Sequence, residues 1–188
     1  AAWGYDGVEY WLELNRFRAK AYCRDRSEGQ ASRLMLCCEA AGMIPQLERI
    51  ARPYGVSGFS SGGFESLTEK YRLAEDIAEG GRPVEILHIG DHDPSGVHMP
   101  LSLSEDVAAF VTDLGGEVTF HRLAVTPEQI EVLGLPTAPP KKTDNRAFTG
   151  ETCQAEAIAP DDLARIVEEA THPLRLVEAL VVDELEVG

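Results

Sequence analysis

A chain of 188 residues with 44% hydrophobic content can bury a full core, so a disordered segment is excluded and one globular domain with appended structure is expected. Its 32 acidic residues against 17 basic ones give a formal charge of -15. That balance argues against a broad basic face for nucleic acid, so any contact with a phosphate backbone must rest on local cations, metal ions or a partner.

The sequence has no apolar run of about 18 residues and no charged-then-apolar leader, which predicts a soluble, cytoplasmic protein with no membrane partner. Cys23, Cys37, Cys38 and Cys153 show neither C-x-x-C spacing nor a histidine at a zinc interval. Cys37 and Cys38 lie in an apolar run and read as small buried residues, in keeping with a reducing compartment. The opening A-A-W-G-Y lacks Met, as expected of a domain cut from a longer protein.

In chain order, residues 5–23 carry Trp11, Leu12, Leu14, Phe17 and Ala21 between charged positions. This predicts an amphipathic helix whose aromatic stripe is core or a docking surface. The charged segment 24–30, with Gly29, reads as a linker, so that 1–30 forms an N-terminal extension. The main domain, 31–160, opens with a short buried strand at 34–38 that ends on Glu39. The spacing of Ile44, Leu47 and Ile50 predicts a helix over 43–52. A strand at 56–59, a tight Ser-Gly loop at 60–63 and a helix over 64–79 follow. A third strand at 84–89 leads into G-D-H-D-P-S-G, where Pro94 suits a first helical turn.

Beyond it the pattern predicts a helix from about 101 to 114, a strand at 117–124, and a short helix opened by Thr126 and Pro127 with Gln129 at capping-box spacing. Residues 134–154 are too rich in Pro, Thr and charge for a regular element, and a loop that long is usually functional or disordered. Helices over 160–170 and 172–185 close the chain, so 161–188 is expected to pack on the main domain. Strands alternating with helices of these lengths predict an α/β fold. Its core would be a Rossmann-like central parallel sheet flanked by helices, with an N-terminal helical extension and C-terminal helices.

The stretch 84–96 carries the chemistry. Asp91 and Asp93 fall just past the end of an apolar strand, where open α/β sheets present their ligand sites. In extended backbone, positions i and i+2 face the same way, so both carboxylates can converge on one hard cation. Mg²⁺ is the expected ion, with Mn²⁺ as a substitute. Helix capping before Pro94 explains the same two acids without a metal. Glu39 ends another strand, and the interval between it and Asp91 holds two strand–helix units, so both strand ends can lie side by side.

Glu39, Asp91 and Asp93 are therefore the candidate metal ligands and catalytic residues. Lys141, Lys142 and Arg146, the densest basic cluster, are candidates for binding the phosphates, and Glu65 and Glu156 for a second metal. Of His88, His92 and His98, His92 lies between the acids, but alternation turns it away from them as an outer-shell or structural residue. His88, inside the strand, reads as a satisfied core position. Ser95 suits either capping or contact with a metal-bound water.

G-D-H-D-P-S-G together with an upstream strand-end Glu resembles the Toprim domain of topoisomerases, bacterial primases, OLD-type nucleases and the RecR recombination mediator. The closer likeness is to the type IIB topoisomerase A subunit, its meiotic relatives, and phage and bacterial proteins carrying G-D-x-D-P-S-G. It spans about 34–159, and K-K-T-D-N-R followed by Q-A-E-A-I-A-P is similar to the region after the sheet in those relatives. The resemblance implies a Toprim-like fold in which Glu39, Asp91 and Asp93 bind Mg²⁺ for phosphodiester chemistry on nucleic acid, with DNA as the expected partner.

Two departures shape that expectation. Ala40 stands where many relatives carry Lys directly after the Glu, so a phosphate contact by that Lys would be absent. The resembled topoisomerases cleave with a tyrosine on a winged-helix domain well upstream, whereas 38 residues precede Glu39, and Tyr5, Tyr10 and Tyr22 read as packing residues. A nuclease is then expected, or a topoisomerase-like component whose nucleophile comes from a protein partner or an upstream domain. Two other classes compete. One is a non-catalytic Toprim module in a DNA repair, recombination or defence complex, favoured by the acidic balance and the aromatic helix. The other is a haloacid dehalogenase-like phosphatase, because D-H-D-P-S resembles that family's D-x-D-x-T loop, although the loop normally follows the first strand of its fold.

Overall fold

A computed structural model describes residues 7–21, 29–64, 66–140 and 148–171, without the side chains of 17–21 and 98–100. Strand β1 (Arg33–Cys38) is apolar at every position after its Arg, as a strand covered on both faces must be. β2 (Ser57–Ser60) pairs on one side of it and β3 (Val84–Ile89) on the other, with β4 (Val118–Ala124) beyond β3. The result is a four-stranded, all-parallel sheet in the order β2-β1-β3-β4. The expected α/β architecture with a Rossmann-like parallel sheet is present.

Helix α2 (Ile44–Ala51) carries the chain from β1 to β2, while α3 (Leu67–Glu79) and α4 (Pro94–Asp113) carry it back the other way, to β3 and then β4. Parallel crossovers are right-handed, so connections running in opposite senses along a sheet cover opposite faces. The packing follows that rule. Leu47 of α2 and Leu163 and Val167 of α6 (Pro160–Thr171) meet Leu36, Cys38, Leu87 and Ile89 in one core. Leu73 and Ile77 of α3 and Val107 and Val111 of α4 meet Met35, Cys37, Val84 and Ile86 in the other. Cys37 and Cys38 are fully buried, one on each face.

Helix starts differ from the sequence pattern where caps decide them. α3 begins at Leu67 because the Ser66 hydroxyl accepts from Glu69 N at 3.2 Å. α4 begins at Pro94, as the first-turn proline predicts, and continues through Pro100 into the segment expected to be helical from about 101, so the acid-bearing turn runs straight into the helix. The expected capping box of Thr126 and Gln129 opens α5 (Pro127–Leu133). α1 (Val8–Ala21) exposes Trp11 and Leu12. Among the described residues no helix is long and apolar enough to cross a membrane.

Candidate functional site

The strand order reverses between β1 and β3, and the crevice beyond the carboxyl ends at such a switch point is where open α/β sheets bind ligands. β1 delivers Glu39 to this edge, and β3, through Gly90, delivers Asp91 and Asp93. Backbone bonds lock the ends together. Glu39 N donates to the Ile89 carbonyl at 3.1 Å, Gly90 N to the Ala124 carbonyl at 2.8 Å, and Val125 N to the Gly90 carbonyl at 2.9 Å. All three predicted acids therefore reach one edge of one sheet.

Their oxygens have different commitments. Asp93 Oδ1 accepts from Gly96 N at 2.6 Å, so Asp93 and not Ser95 caps α4. Asp91 Oδ1 accepts from Ala155 N at 2.9 Å. Glu39 Oε2 is buried and has no hydrogen-bond partner. Burial pushes the Glu39 carboxyl above its ordinary range, and the charges of Asp91 and Asp93 push it further. Burial likewise raises Asp91; the Ala155 N–H opposes that shift, while Glu156 and Asp93 add to it.

Glu156, a predicted second-metal candidate, arrives here because His92 and Cys153 exchange backbone hydrogen bonds of 2.8 and 3.0 Å, returning the long loop to the acids. The His92 ring packs against Phe148 with centroids 5.2 Å apart. Ala40 is half-buried against the core. Lys141, Lys142, Arg146, Glu65, Tyr5, Tyr22, Cys23, the linker 24–28 and the helix predicted over 172–185 lie outside the described residues, as does the His98 side chain.

One residue that sequence reasoning missed organises the turn. Arg122 on β4 donates from Nη2 to the carbonyls of Asp91 (2.6 Å) and Gly90 (2.7 Å), and from Nη1 to the Gly96 carbonyl (2.9 Å). Nη1 also lies 3.1 Å from His88 Nδ1. The available signal was a charge near the carboxyl end of a strand that shares its edge with the acids. A guanidinium only donates, so Nδ1 must accept, which leaves the imidazole neutral with its hydrogen on Nε2. Burial first, and Arg122 second, lower His88 to about 4, in agreement with the neutral form. His88 Nε2 is buried and has no hydrogen-bond partner. The expectation of a satisfied core histidine is corrected accordingly: the residue is 3% exposed, but only one of its ring nitrogens is paired.

A cation would relieve this cluster. Among the described residues no three His, Cys, Asp or Glu side chains stand where one ion could bind them together, so Glu39, Asp91 and Asp93 do not form the expected three-ligand set as they stand. Mg²⁺, however, is usually held by one or two carboxylates, with waters and substrate phosphate completing its octahedron. Glu39 and Asp91 fit that mode: they are hard oxygen donors at one strand edge, the charge of Asp91 raises the proton demand of Glu39, and Glu39 has an unpaired oxygen. A cavity of about 410 Å³ opens between α4 and the end of β4, walled by Val97, Leu101, Phe120 and Val125, with His92 and Arg122 also lining it and none of the acids among its walls.

Comparison with known protein families, with curated proteins and with solved structures gives no match to this chain.

Proposed function

We propose that this chain performs Mg²⁺-assisted phosphodiester chemistry on nucleic acid through a Toprim-like site. The observation that carries the reading is the meeting of Glu39 and Asp91 at the switch point of a parallel sheet, with G-D-H-D-P-S-G forming the turn between them and α4. Glu39 and Asp91 would hold the ion, with Asp93 beside them at the start of α4. When bound, Mg²⁺ supplies charge neutralisation at the phosphate and at the attacking or leaving oxygen. Arg122 fixes the turn through backbone carbonyls and so sets where the acids stand. Lys141, Lys142 and Arg146 would add local positive charge for the substrate in a chain whose formal charge is -15. DNA is the proposed substrate.

The test is calorimetric titration with Mg²⁺ and Mn²⁺, paired with cleavage assays on single-stranded DNA, duplex DNA and RNA. Weak millimolar-range binding lost in Asp91→Asn, together with metal-dependent cleavage lost in the same variant, supports the reading. Unchanged metal binding in Asp91→Asn removes the site assignment. Turnover of a small phosphate monoester that depends on Asp91, without nucleic-acid cleavage, replaces it with the phosphatase. The exposure of Trp11 and Leu12 on α1 favours a second reading, a non-catalytic module within a DNA-processing complex. Metal binding without cleavage of any nucleic acid would support that one.

A further inference from the structure

The cavity between α4 and the end of β4 is not used by the acids. On α4 its walls are Val97, Leu101 and Ser104, which at spacings of four and three residues share one face of the helix. Val97 and Leu101 are 38% and 51% exposed, so this face offers apolar surface to solvent. On β4 its walls include Phe120 and Arg122, which strand alternation turns to one side, and β4 is the end strand of the sheet. A volume of about 410 Å³ falls within the roughly 300–1,000 Å³ of small-molecule sites.

The lining is also selective in charge. The chain carries a formal charge of -15, yet among the described residues that wall the cavity there is no Asp or Glu. His121, at its rim, pairs with Glu85 at 3.3 Å. Arg122 is the guanidinium of the lining, and its four hydrogen bonds run to neutral acceptors, the carbonyls of Gly90, Asp91 and Gly96 and the ring nitrogen of His88. An aliphatic group would need the walls but not the cation, and a free phosphate the cation but not the walls. A flat heteroaromatic ring attached to a phosphate uses both, with the Phe120 ring to pack against.

We infer that this cavity receives one unpaired nucleobase, which makes single-stranded DNA the form of nucleic acid this chain takes. The base site stands without the phosphodiester reading above; only the use of the bound strand as substrate rests on it. The two sites share a turn. His92 walls the cavity and lies between Asp91 and Asp93 in the chain, and Arg122 Nη2 holds the Asp91 carbonyl at 2.6 Å. A base seated there leaves its sugar and phosphate at the turn that bears the acids. Base insertion also suits so acidic a chain, because stacking and apolar contact give affinity without a basic track along the phosphates.

The experiment uses the full chain with ¹³C-labelled methyl groups, titrated with dAMP and with deoxyribose 5-phosphate, which lacks the base. The first should move the methyl signals of Val97, Leu101 and Val125, and the second should not. A single-stranded oligonucleotide carrying 2-aminopurine should bind at least about tenfold tighter than its duplex, and should lose less than about tenfold between about 50 and 200 mM salt. Phe120→Leu keeps an apolar wall without the ring and should weaken strand binding by about 5- to 10-fold. Val97→Leu combined with Ser104→Leu fills the cavity from an accessible helix face; it should melt like the parent and weaken binding by about tenfold or more. Asp91→Asn should bind the strand no more weakly than the parent. Unmoved methyl signals, equal binding of strand and duplex, or parent-like affinity in the filled variant overturns the inference. Tighter binding of indole than of dAMP, with no response to the oligonucleotide, also overturns it and assigns the cavity to an apolar side chain of a protein partner. Metal-dependent cleavage without base binding would leave the phosphodiester reading standing and remove the base site. Base binding without cleavage under any metal would do the reverse.

Discussion

Arg122 Nη2 lies 2.6 Å from the carbonyl oxygen of Asp91, so the cation of this acidic edge grips the backbone of the acid and not its carboxylate. The same guanidinium satisfies the carbonyls of Gly90 and Gly96. Replacing it with the apolar Arg122→Met strands these carbonyls and removes the positive charge that opposes Glu39 and Asp91. We expect a loss of about 3 kcal/mol, the size of several unmade bonds in a half-buried site, and a fall in Tm of about 9 °C. Arg122→Lys should recover little of it, because one ammonium cannot span the carbonyls that a planar fork reaches. Chemical unfolding of the two variants beside the parent checks this, and an unaltered midpoint in Arg122→Met would refute the wiring.

Gly96 gives a sign test. It stands in the first turn of α4, where Ala is intrinsically the better helix former by about 1 kcal/mol, so propensity alone predicts stabilisation. The geometry predicts the reverse. A Cβ on Gly96 would lie 2.3 Å from the Asp91 carbonyl oxygen and 3.2 Å from Glu39 Oε2. The turn, pinned by Arg122, has nowhere to move. Gly96→Ala should therefore destabilise by about 3 kcal/mol, at the upper end of overpacking costs. Gly63→Ala, whose Cβ meets nothing within 4 Å, should stay within about 0.5 kcal/mol of the parent.

Much of this arrangement is legible in the chain because it rests on local patterns. The doubly buried β1 and β3 are continuous apolar runs, and strand–helix alternation then brings Glu39 and Asp91 to one edge. What is not legible depends on partners with no sequence signature. Arg122 binds carbonyl oxygens, which every residue offers, so V-T-F-H-R-L-A shows a charge near the strand's carboxyl end but not what that charge binds. His88 is visibly a buried position, but whether each ring nitrogen finds a partner depends on a residue 34 positions away. Asp93 and Ser95 are equally good caps by type, and only the backbone path decides that Asp93 reaches Gly96 N. The start of α4 at Pro94 is legible from the Pro-Ser-Gly turn, whereas its unbroken passage through Pro100 is not, because a local rule reads an internal proline as a break.

Asp93 carries two separable roles, a helix cap seen in the structure and a share of the proposed metal charge. Asp93→Asn keeps an acceptor for Gly96 N and should leave stability within a few tenths of a kcal/mol, whereas Asp93→Ala loses the cap and should cost about 1 kcal/mol. Both remove the negative charge, so both should weaken Mg²⁺ binding by about tenfold. Paired thermal melts and calorimetric titrations separate the roles. Parent-like Mg²⁺ affinity in Asp93→Asn would confine Asp93 to capping.

The raised carboxyls of Glu39 and Asp91 also fix the sign of a pH effect. A carboxyl that is harder to ionise in the folded chain than in the unfolded one contributes its stability below the unfolded value. That contribution is lost as pH rises through the folded one. The window opens at the ordinary values of 4.5 for Glu39 and 3.8 for Asp91 and extends upward. At neutral pH the folded protein therefore carries a repulsion that Glu39→Gln removes. Solvent reaching these half-buried groups keeps the effect modest, and we expect the variant to be more stable at pH 7.5 by about 1 kcal/mol, or about 3 °C in Tm. The difference should shrink as the pH falls and vanish below 4.5, where the parent carboxyl is protonated in both states. Saturating Mg²⁺ should raise the parent's Tm at pH 7.5 and leave Glu39→Gln nearly unmoved, since a ligand stabilises only the state that binds it. A parent more stable than Glu39→Gln at pH 7.5 without Mg²⁺ would show that the acids repel one another too weakly to call for a cation.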